Sequence, residues 1–207
     1  ANNTQYYNGG QKYELSIPNS YAAWIDNEKF SYGKLIGFEF DDENNPSYVY
    51  FANDITNAYD VETVDYVERS FITLYTGDAE TPMVMFIFDN ITSDSPEYQK
   101  TFLLQCAEEP TINGNTVTVD NGEGKLVLTS LLGADNIYAY GRTSKNGVVG
   151  GGDGSERFYL SGPGVGLNPG GAEMIGDKNS DLQLVWGHVE IQPEANQTTN
   201  HLMNVLY

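Results

Sequence analysis

Two strand-like segments near the middle of the sequence are joined by residues typical of a tight antiparallel turn. The segments are NTVTV (115–119) and KLVLTSLL (125–132), and the connecting residues, DNGEG, contain an Asn-Gly pair. Asn and Gly adopt positive φ angles at low cost, as tight β-hairpin turns require. We therefore expect a β-hairpin here, which constrains the chain toward antiparallel sheet.

Strand-like segments also occupy much of the remaining sequence. MVMFIF (83–88) is a continuous apolar run, as expected of a central strand that is covered on both faces. VDYVERSFITLY (64–75) is predicted to form one long strand, and LQLVWGHVEI (182–191) and HLMNVLY (201–207) to form two closing strands. No stretch of a dozen residues shows convincing helical periodicity, and 22 glycines and 8 prolines punctuate the chain.

These patterns predict an all-β fold, an antiparallel β-sandwich. The 15 tyrosines and 9 phenylalanines fit pleated sheet better than helix. A chain of 207 residues is long enough for one sandwich. We expect a single domain over residues 1–207, with a mobile N-terminal segment (1–10) and a glycine-rich surface loop (147–177). That loop lacks the Lys-Ser/Thr pair of a phosphate-binding loop.

The charge of the chain argues against two classes of partner. The formal net charge is −19 and the pI is near 4.1, so neither nucleic acid nor an anionic membrane is attracted to the surface. No apolar run approaches the roughly 20 residues needed to span a bilayer. An acidic chain rich in Asn and Tyr suits an extracellular, periplasmic or secreted location, as a mature chain whose signal peptide has been removed.

The single cysteine lies beside two glutamates, which raises the question of a nucleophile with an acid pair. Cys106 ends the strand-like segment TFLLQC, whereas Glu108 and Glu109 precede Pro110. Adjacent residues of a strand point to opposite faces, whereas catalytic carboxylate pairs lie about 5 to 9 Å apart across a sugar. We therefore interpret Cys106 as a small buried apolar residue and the glutamates as part of a turn.

Four segments together resemble the β-sandwich domain of the heparinase II/III-type polysaccharide lyases. They are DITNAYDVETVDYVERSFITL (54–74), FIFDNITSDSPEYQKTFLLQCAEEPTINGNTVTV (86–119), GKLVLTSLL (124–132) and GHVEIQPEANQTTNHLMNVL (187–206). The resemblance follows one order along almost the whole chain. It implies a sandwich of the lyase type, which in that family follows an α/α toroid.

The resemblance also implies β-elimination chemistry on uronic-acid polysaccharides, with Tyr and His residues that come mostly from the toroid. None of those positions can be carried over, because this chain aligns downstream of them, from around YYNGGQK (6–12). Only two histidines are present, His188 and His201, and nothing marks a third ligand for a zinc site. We therefore expect the chain to be non-catalytic.

Two acidic clusters and three glycosylation sequons complete the candidate sites. Asp41, Asp42, Asp153 and Glu156 offer oxygen ligands for Ca²⁺ without EF-hand spacing, and solvated surface is the simpler interpretation. No other cofactor is expected. Asn2, Asn90 and Asn196 begin Asn-X-Ser/Thr sequons, which matter only in a eukaryotic secretory pathway.

Two functions fit these observations. The first is a non-catalytic module that binds glycan or a lyase partner, for which Tyr6, Tyr7, Trp24 and Tyr32 are candidate contacts. The second is a structural subunit that assembles into an oligomer or filament. In that case the segment 1–16, with its Gly-Gly hinge, is a candidate strand donor to an exposed sheet edge of a second copy.

Overall fold

The computed structural model describes residues 4–6, 11–14, 19–25, 32–106, 108–145, 148–151 and 187–207. Fourteen strands, one short helix and one 3-10 turn lie in these ranges. In chain order they are β1 (Thr4–Tyr6), β2 (Lys12–Glu14), α1 (Tyr21–Ile25), β3 (Lys34–Phe40), β4 (Tyr48–Asp54), the 3-10 turn (Thr56–Ala58), β5 (Val64–Tyr75), β6 (Met83–Ser93), β7 (Phe102–Cys106), β8 (Thr111–Asn113), β9 (Thr116–Asp120), β10 (Lys125–Leu132), β11 (Asn136–Lys145), β12 (Val148–Gly151), β13 (Gly187–Gln192) and β14 (Thr199–Leu206).

The strands form three sheets. The largest has the order β3-β4-β5-β6-β14-β10-β9-β8, a second has the order β12-β11-β13-β7, and β1 pairs with β2 alone. The neighbours within β3-β4-β5-β6-β14, within β10-β9-β8, within β12-β11-β13-β7 and within β1-β2 run antiparallel. The all-β, antiparallel part of the predicted fold is confirmed, whereas the sandwich of the lyase type stays a prediction.

The chain divides into two compact units. The first contains residues 1–100, 130–133 and 193–207, and the second contains residues 101–129 and 134–192. Each unit therefore combines segments that are distant in sequence.

The first unit is built around the long pair β5 and β6. The predicted strand 64–75 matches β5, whose β-branched and aromatic residues suit a pleated surface. Val67, Ile87 and Leu202 are buried on one face of the sheet, on β5, β6 and β14 respectively. The prediction for MVMFIF is partly wrong. β6 is an interior strand, but of these six residues only Ile87 is fully buried. The opposite face of β6 is half-exposed, and Met83 and Met85, on the face of Ile87, lie at the start of the strand.

The second unit contains the predicted hairpin. β9 and β10 pair antiparallel, from Asp120 with Lys125 beside the turn to Thr116 with Thr129 at the far end. Val117 and Leu128 are partners in this pairing and are both buried. The side-chain oxygen of Asn121 accepts hydrogen bonds from the backbone N–H groups of Glu123 and Gly124, and Gly122 has a φ of 84°. These are the turn properties for which Asn and Gly are favoured.

The N-terminal segment forms a local hairpin. Residues 4–6 pair antiparallel with residues 12–14 of the same chain. The predicted donor segment therefore uses part of its backbone within its own chain. The greater part of the glycine-rich loop 147–177 lies outside the described residues.

Candidate functional site

The edge strand β3 exposes both of its faces. Six of its seven residues are exposed, and only Gly37 is half-buried. Leu35 and Phe38 are each 59% exposed, and Ile36 and Phe40 are exposed as well. Within the described part of the chain, β3 is hydrogen-bonded to β4 alone. An apolar edge of this kind is a template for another strand, and natural proteins usually cover it or protect it with charge.

A β-bulge divides this edge. The register between β3 and β4 shifts between Leu35 and Gly37, so Ile36 has no partner in β4. A Cβ atom on Gly37 would come within 3.1 Å of the Tyr50 ring, so a larger residue here would require the ring to shift by a few tenths of an ångström. Residues 37–40 pair regularly with residues 49–52. The regular part of the edge is therefore Gly37–Phe40.

The predicted calcium ligands Asp41 and Asp42 hold the loop between β3 and β4. Asp41 accepts hydrogen bonds from the hydroxyl and the backbone N–H of Ser47, and the hydroxyl contact lowers the pKa of the Asp41 carboxyl. Asp42 accepts backbone hydrogen bonds from Asn44 and Asn45. Both carboxylates thus have a structural role at the end of the exposed edge.

Metal ligands do not converge elsewhere in the described ranges, which contain no group of three or more His, Cys, Asp or Glu side chains that could hold an ion. The other two predicted calcium ligands, Asp153 and Glu156, lie outside these ranges.

A polar patch lies on the half-exposed face of the first unit, on β5, β6 and β14. The register aligns Glu68 with Asn90 and Asn90 with His201. The next row on the same face lies two residues further along each strand. In this row Thr92 of β6 pairs with Tyr66 on one side and with Thr199 on the other. We refer to Tyr66, Glu68, Asn90, Thr92, Thr199 and His201 as the polar patch.

Hydrogen bonds order the side chains of the polar patch. The hydroxyls of Tyr66 and Ser70 donate to the two carboxylate oxygens of Glu68, at 2.7 and 3.1 Å. The contact with Glu68 raises the pKa of Tyr66 to about 12, because it favours the neutral phenol. The hydroxyl oxygens of Thr92 and Thr199 lie 3.1 Å apart. Glu68 is therefore held in one orientation by two hydroxyl groups.

An aromatic contact borders the polar patch. The ring of His201 stacks on the ring of Phe88, with centroids 5.9 Å apart and planes 14° apart. His201 is exposed and Phe88 is half-buried. The imidazole thus presents an aromatic surface to solvent next to Asn90 and Thr199.

The four predicted aromatic contacts do not form one described cluster. Trp24 is 44% exposed on α1, where its ring stacks on that of Tyr21 at 6.3 Å. Tyr32 is half-buried. The structure describes the backbone of Tyr6 in β1, and Tyr7 lies outside the described residues. Tyr21, which the sequence analysis did not single out, is the described aromatic partner of Trp24.

The three sequons differ in their surroundings. Asn90 is half-buried in the middle of the polar patch, on an interior strand of the sheet. Asn196 is exposed between β13 and β14, with a φ of 61°. Asn2 lies outside the described ranges. Of the two described sequons, Asn196 has the more accessible side chain.

A second polar cluster is buried in the second unit, on β13. The carboxylate of Glu190 lies 3.4 Å from Nε2 of His188 and accepts a 2.8 Å hydrogen bond from Gln192. His188 and Glu190 are 3% and 1% exposed. Buried charge is tolerated when it is paired and hydrogen-bonded, so this cluster has a sufficient structural explanation.

The cysteine and its neighbouring glutamates are in different environments. Cys106 is a free thiol with 1% exposure, and burial raises its pKa to about 11. Glu108 and Glu109 are exposed. The prediction that Cys106 is buried is confirmed, and its protonated thiol is a poor nucleophile.

The chain is without match in two comparisons with known proteins: no family model matches it, and no curated protein does so. Among the described helices, none has the length and apolar character that crossing a bilayer requires.

Proposed function

We propose that the chain is a non-catalytic assembly subunit that joins a second copy of itself through the edge strand β3. The observation that carries this proposal is the exposure of both faces of β3, with four large apolar side chains. Pairing of two edges satisfies backbone N–H and C=O groups and removes apolar surface from water at the same time.

A two-fold antiparallel pair within the regular segment Gly37–Phe40 is the simplest arrangement. Symmetry then places Phe38 of each copy opposite Glu39 of the other, and Gly37 opposite Phe40. Such a contact is isologous and closes on itself as a dimer. A head-to-tail contact, in which another segment such as the N-terminal hairpin docks on β3, would instead give a ring or a filament.

Charge opposes association and gives it a salt dependence. Each copy carries a net charge of −19, and repulsion between exposed charges is screened over about 8 Å at physiological ionic strength. We therefore expect the dimer to strengthen as NaCl rises.

We propose that this assembly subunit reuses the β-sandwich that its sequence resembles, that of the heparinase II/III-type lyases. The ordered matches along the chain support a sandwich of the lyase type, and the acidic composition suits an extracellular location. A strand of a lyase partner could pair with β3 in place of a second copy of the chain. With alginate, hyaluronan and heparan sulfate, the purified chain should produce no absorbance of unsaturated uronate ends.

Light scattering coupled to size exclusion tests the assembly. The wild-type chain, Phe38→Lys and Val61→Lys are compared in 50 and 500 mM NaCl. Val61 is 75% exposed in a turn, so its substitution is a control with the same change of charge. We expect wild type and Val61→Lys to dimerise in high salt and Phe38→Lys to remain monomeric. A wild-type chain that is monomeric at high concentration in both salts would contradict the proposal.

Glycan binding at α1 is a second candidate function. The specific observation is the exposed stacked pair of Tyr21 and Trp24, because aromatic rings bind the apolar faces of sugars. A glycan array with wild type and Trp24→Ala tests it. Array signals that survive the substitution would exclude α1 as their origin.

A further inference from the structure

The geometry points to the polar patch on β5, β6 and β14 as a binding site for an uncharged oligosaccharide. This inference rests neither on pairing through β3 nor on the aromatic residues of α1. Its residues all belong to the first compact unit.

The patch has the dimensions of a short stretch of sugar chain. It covers three adjacent strands, which spans about 10 Å, and the residues from Tyr66 to Ser70 extend it by about 14 Å along the strands. Carboxylate, amide, hydroxyl and imidazole groups share this area, because the register brings them to one face. A di- or trisaccharide covers a surface of this size.

Glu68 is prepared to accept hydrogen bonds from a ligand. A carboxylate has about four acceptor positions, and the hydroxyls of Tyr66 and Ser70 use two of them. These contacts fix the carboxylate in place, so little side-chain freedom is lost when a sugar hydroxyl binds. The amide of Asn90, directly opposite Glu68, supplies both donors and an acceptor.

His201 supplies the apolar contact that a sugar ring needs. Its exposed imidazole is held by stacking on Phe88. A pyranose that lies against this ring places its hydroxyls toward Asn90 and Glu68 in the same row of the sheet. The aromatic surface suits the apolar face of the pyranose, and the polar groups suit the hydroxyls at its edge.

The charges select an uncharged sugar. Glu68 lies opposite Asp54 as well as Asn90 in the sheet, and the chain as a whole is strongly acidic. Uronates and sulfated sugars would bring negative charge to two carboxylates. Hydroxyl groups instead donate to Glu68 without that repulsion.

Titration calorimetry with hexasaccharides tests the site. The neutral probes are the β-1,4-glucose, β-1,3-glucose, β-1,4-mannose and α-1,4-glucose hexamers, and the anionic probe is an alginate hexamer. We expect at least one neutral hexamer to bind. Glu68→Gln should weaken it about tenfold or more, as loss of a hydrogen bond to a charged group predicts, and His201→Ala should weaken it about tenfold through loss of the stacking contact.

Matched variants separate the effect of this site from a general change of surface charge. Glu123→Gln makes the same chemical change in an exposed turn, and Val61→Lys alters the charge of another exposed turn. Both should bind the hexamer as wild type does, and the circular dichroism melt of Glu68→Gln should show a folded chain. The inference is overturned if no neutral hexamer binds at millimolar concentration or if the alginate hexamer binds as tightly. Unchanged affinity in Glu68→Gln, or an equal loss of affinity in Glu123→Gln, would overturn it as well.

Discussion

The carboxylate of Asp89 accepts two hydrogen bonds from the guanidinium of Arg69, with oxygen–nitrogen distances of 2.6 and 2.8 Å. The two residues are direct partners on β6 and β5, and Asp89 is 1% exposed. Two parallel hydrogen bonds to one carboxylate are the strongest geometry for this pair. The ion pair thus joins a buried carboxylate to a guanidinium whose side chain is 35% exposed.

Replacement of Asp89 should weaken two charge-assisted hydrogen bonds from Arg69. We expect Asp89→Asn to lower the free energy of unfolding by about 2 kcal/mol, because Arg69, whose side chain is 35% exposed, keeps part of its hydration. Urea denaturation measures the difference. Asp120→Asn is the control, because its contact with Lys125 is exposed and 3.8 Å long, and it should cost less than about 1 kcal/mol. Equal effects of the two substitutions would contradict this account.

A close backbone approach makes Gly133 sensitive to substitution. Gly133 has a φ of 77°, and a Cβ atom there would overlap the carbonyl oxygen of His201. Gly122 has a φ of 84° but open space around it, so Gly122→Ala isolates the cost of the left-handed backbone, about 1 kcal/mol. Thermal melts should show that Gly133→Ala lowers stability by about 3 kcal/mol or more, through overlap as well as strain. Similar melting temperatures for the two variants would show that β14 moves aside easily.

The Cys106 thiol should be inert in the folded chain. Because burial raises its pKa to about 11, little thiolate exists at pH 8, and a thiol reagent should label it only after unfolding. Folding favours the protonated thiol, and this preference contributes to the free energy of unfolding. The contribution is complete below the unfolded pKa near 9 and is lost as pH rises toward 11. Cys106→Ala should lower the free energy of unfolding by about 1 kcal/mol or more, because the packing of the thiol is lost. Rapid labelling of native protein would contradict both expectations.

The phenol of Tyr66 should ionise at a higher pH than an ordinary tyrosine. Its hydrogen bond to Glu68 raises the phenol pKa to about 12, so the bond is intact below pH 10 and is lost as pH rises toward 12. Ultraviolet titration should show that Glu68→Gln shifts one tyrosine to lower pH. Glu39→Gln makes the analogous change beside Tyr48, whose pKa is raised by its bond to Glu39. No change in either titration would show that these contacts do not persist in solution.

The positions of individual strands could be predicted from the sequence, whereas the pairing of strands within the sheets could not. VDYVERSFITLY and the hairpin of β9 and β10 were predicted correctly, because alternation and turn chemistry are local properties. The position of β14 beside β6 depends on residues about a hundred positions apart. No local pattern encodes that register.

The polar patch shows the same limit. Alternation alone indicates that Tyr66, Glu68 and Ser70 share a face, and that Phe88, Asn90 and Thr92 do so. Only the observed register places Glu68 opposite Asn90 and His201 beyond it. Residue type alone instead favours the aromatic residues near the N-terminus, because it carries no information about strand pairing.

The pairing of β6 with β14 has a consequence for folding during synthesis. Thr92 and Thr199, whose hydroxyls meet across these strands, are separated by 107 positions. At about 5 to 20 residues per second, the ribosome needs roughly 5 to 20 seconds to supply the second strand. During that interval β6 lacks the neighbour that covers its edge in the folded chain. Contacts of such long range slow folding and leave intermediates open to aggregation, so recovery of folded protein should depend on chaperone supply more than its final stability suggests.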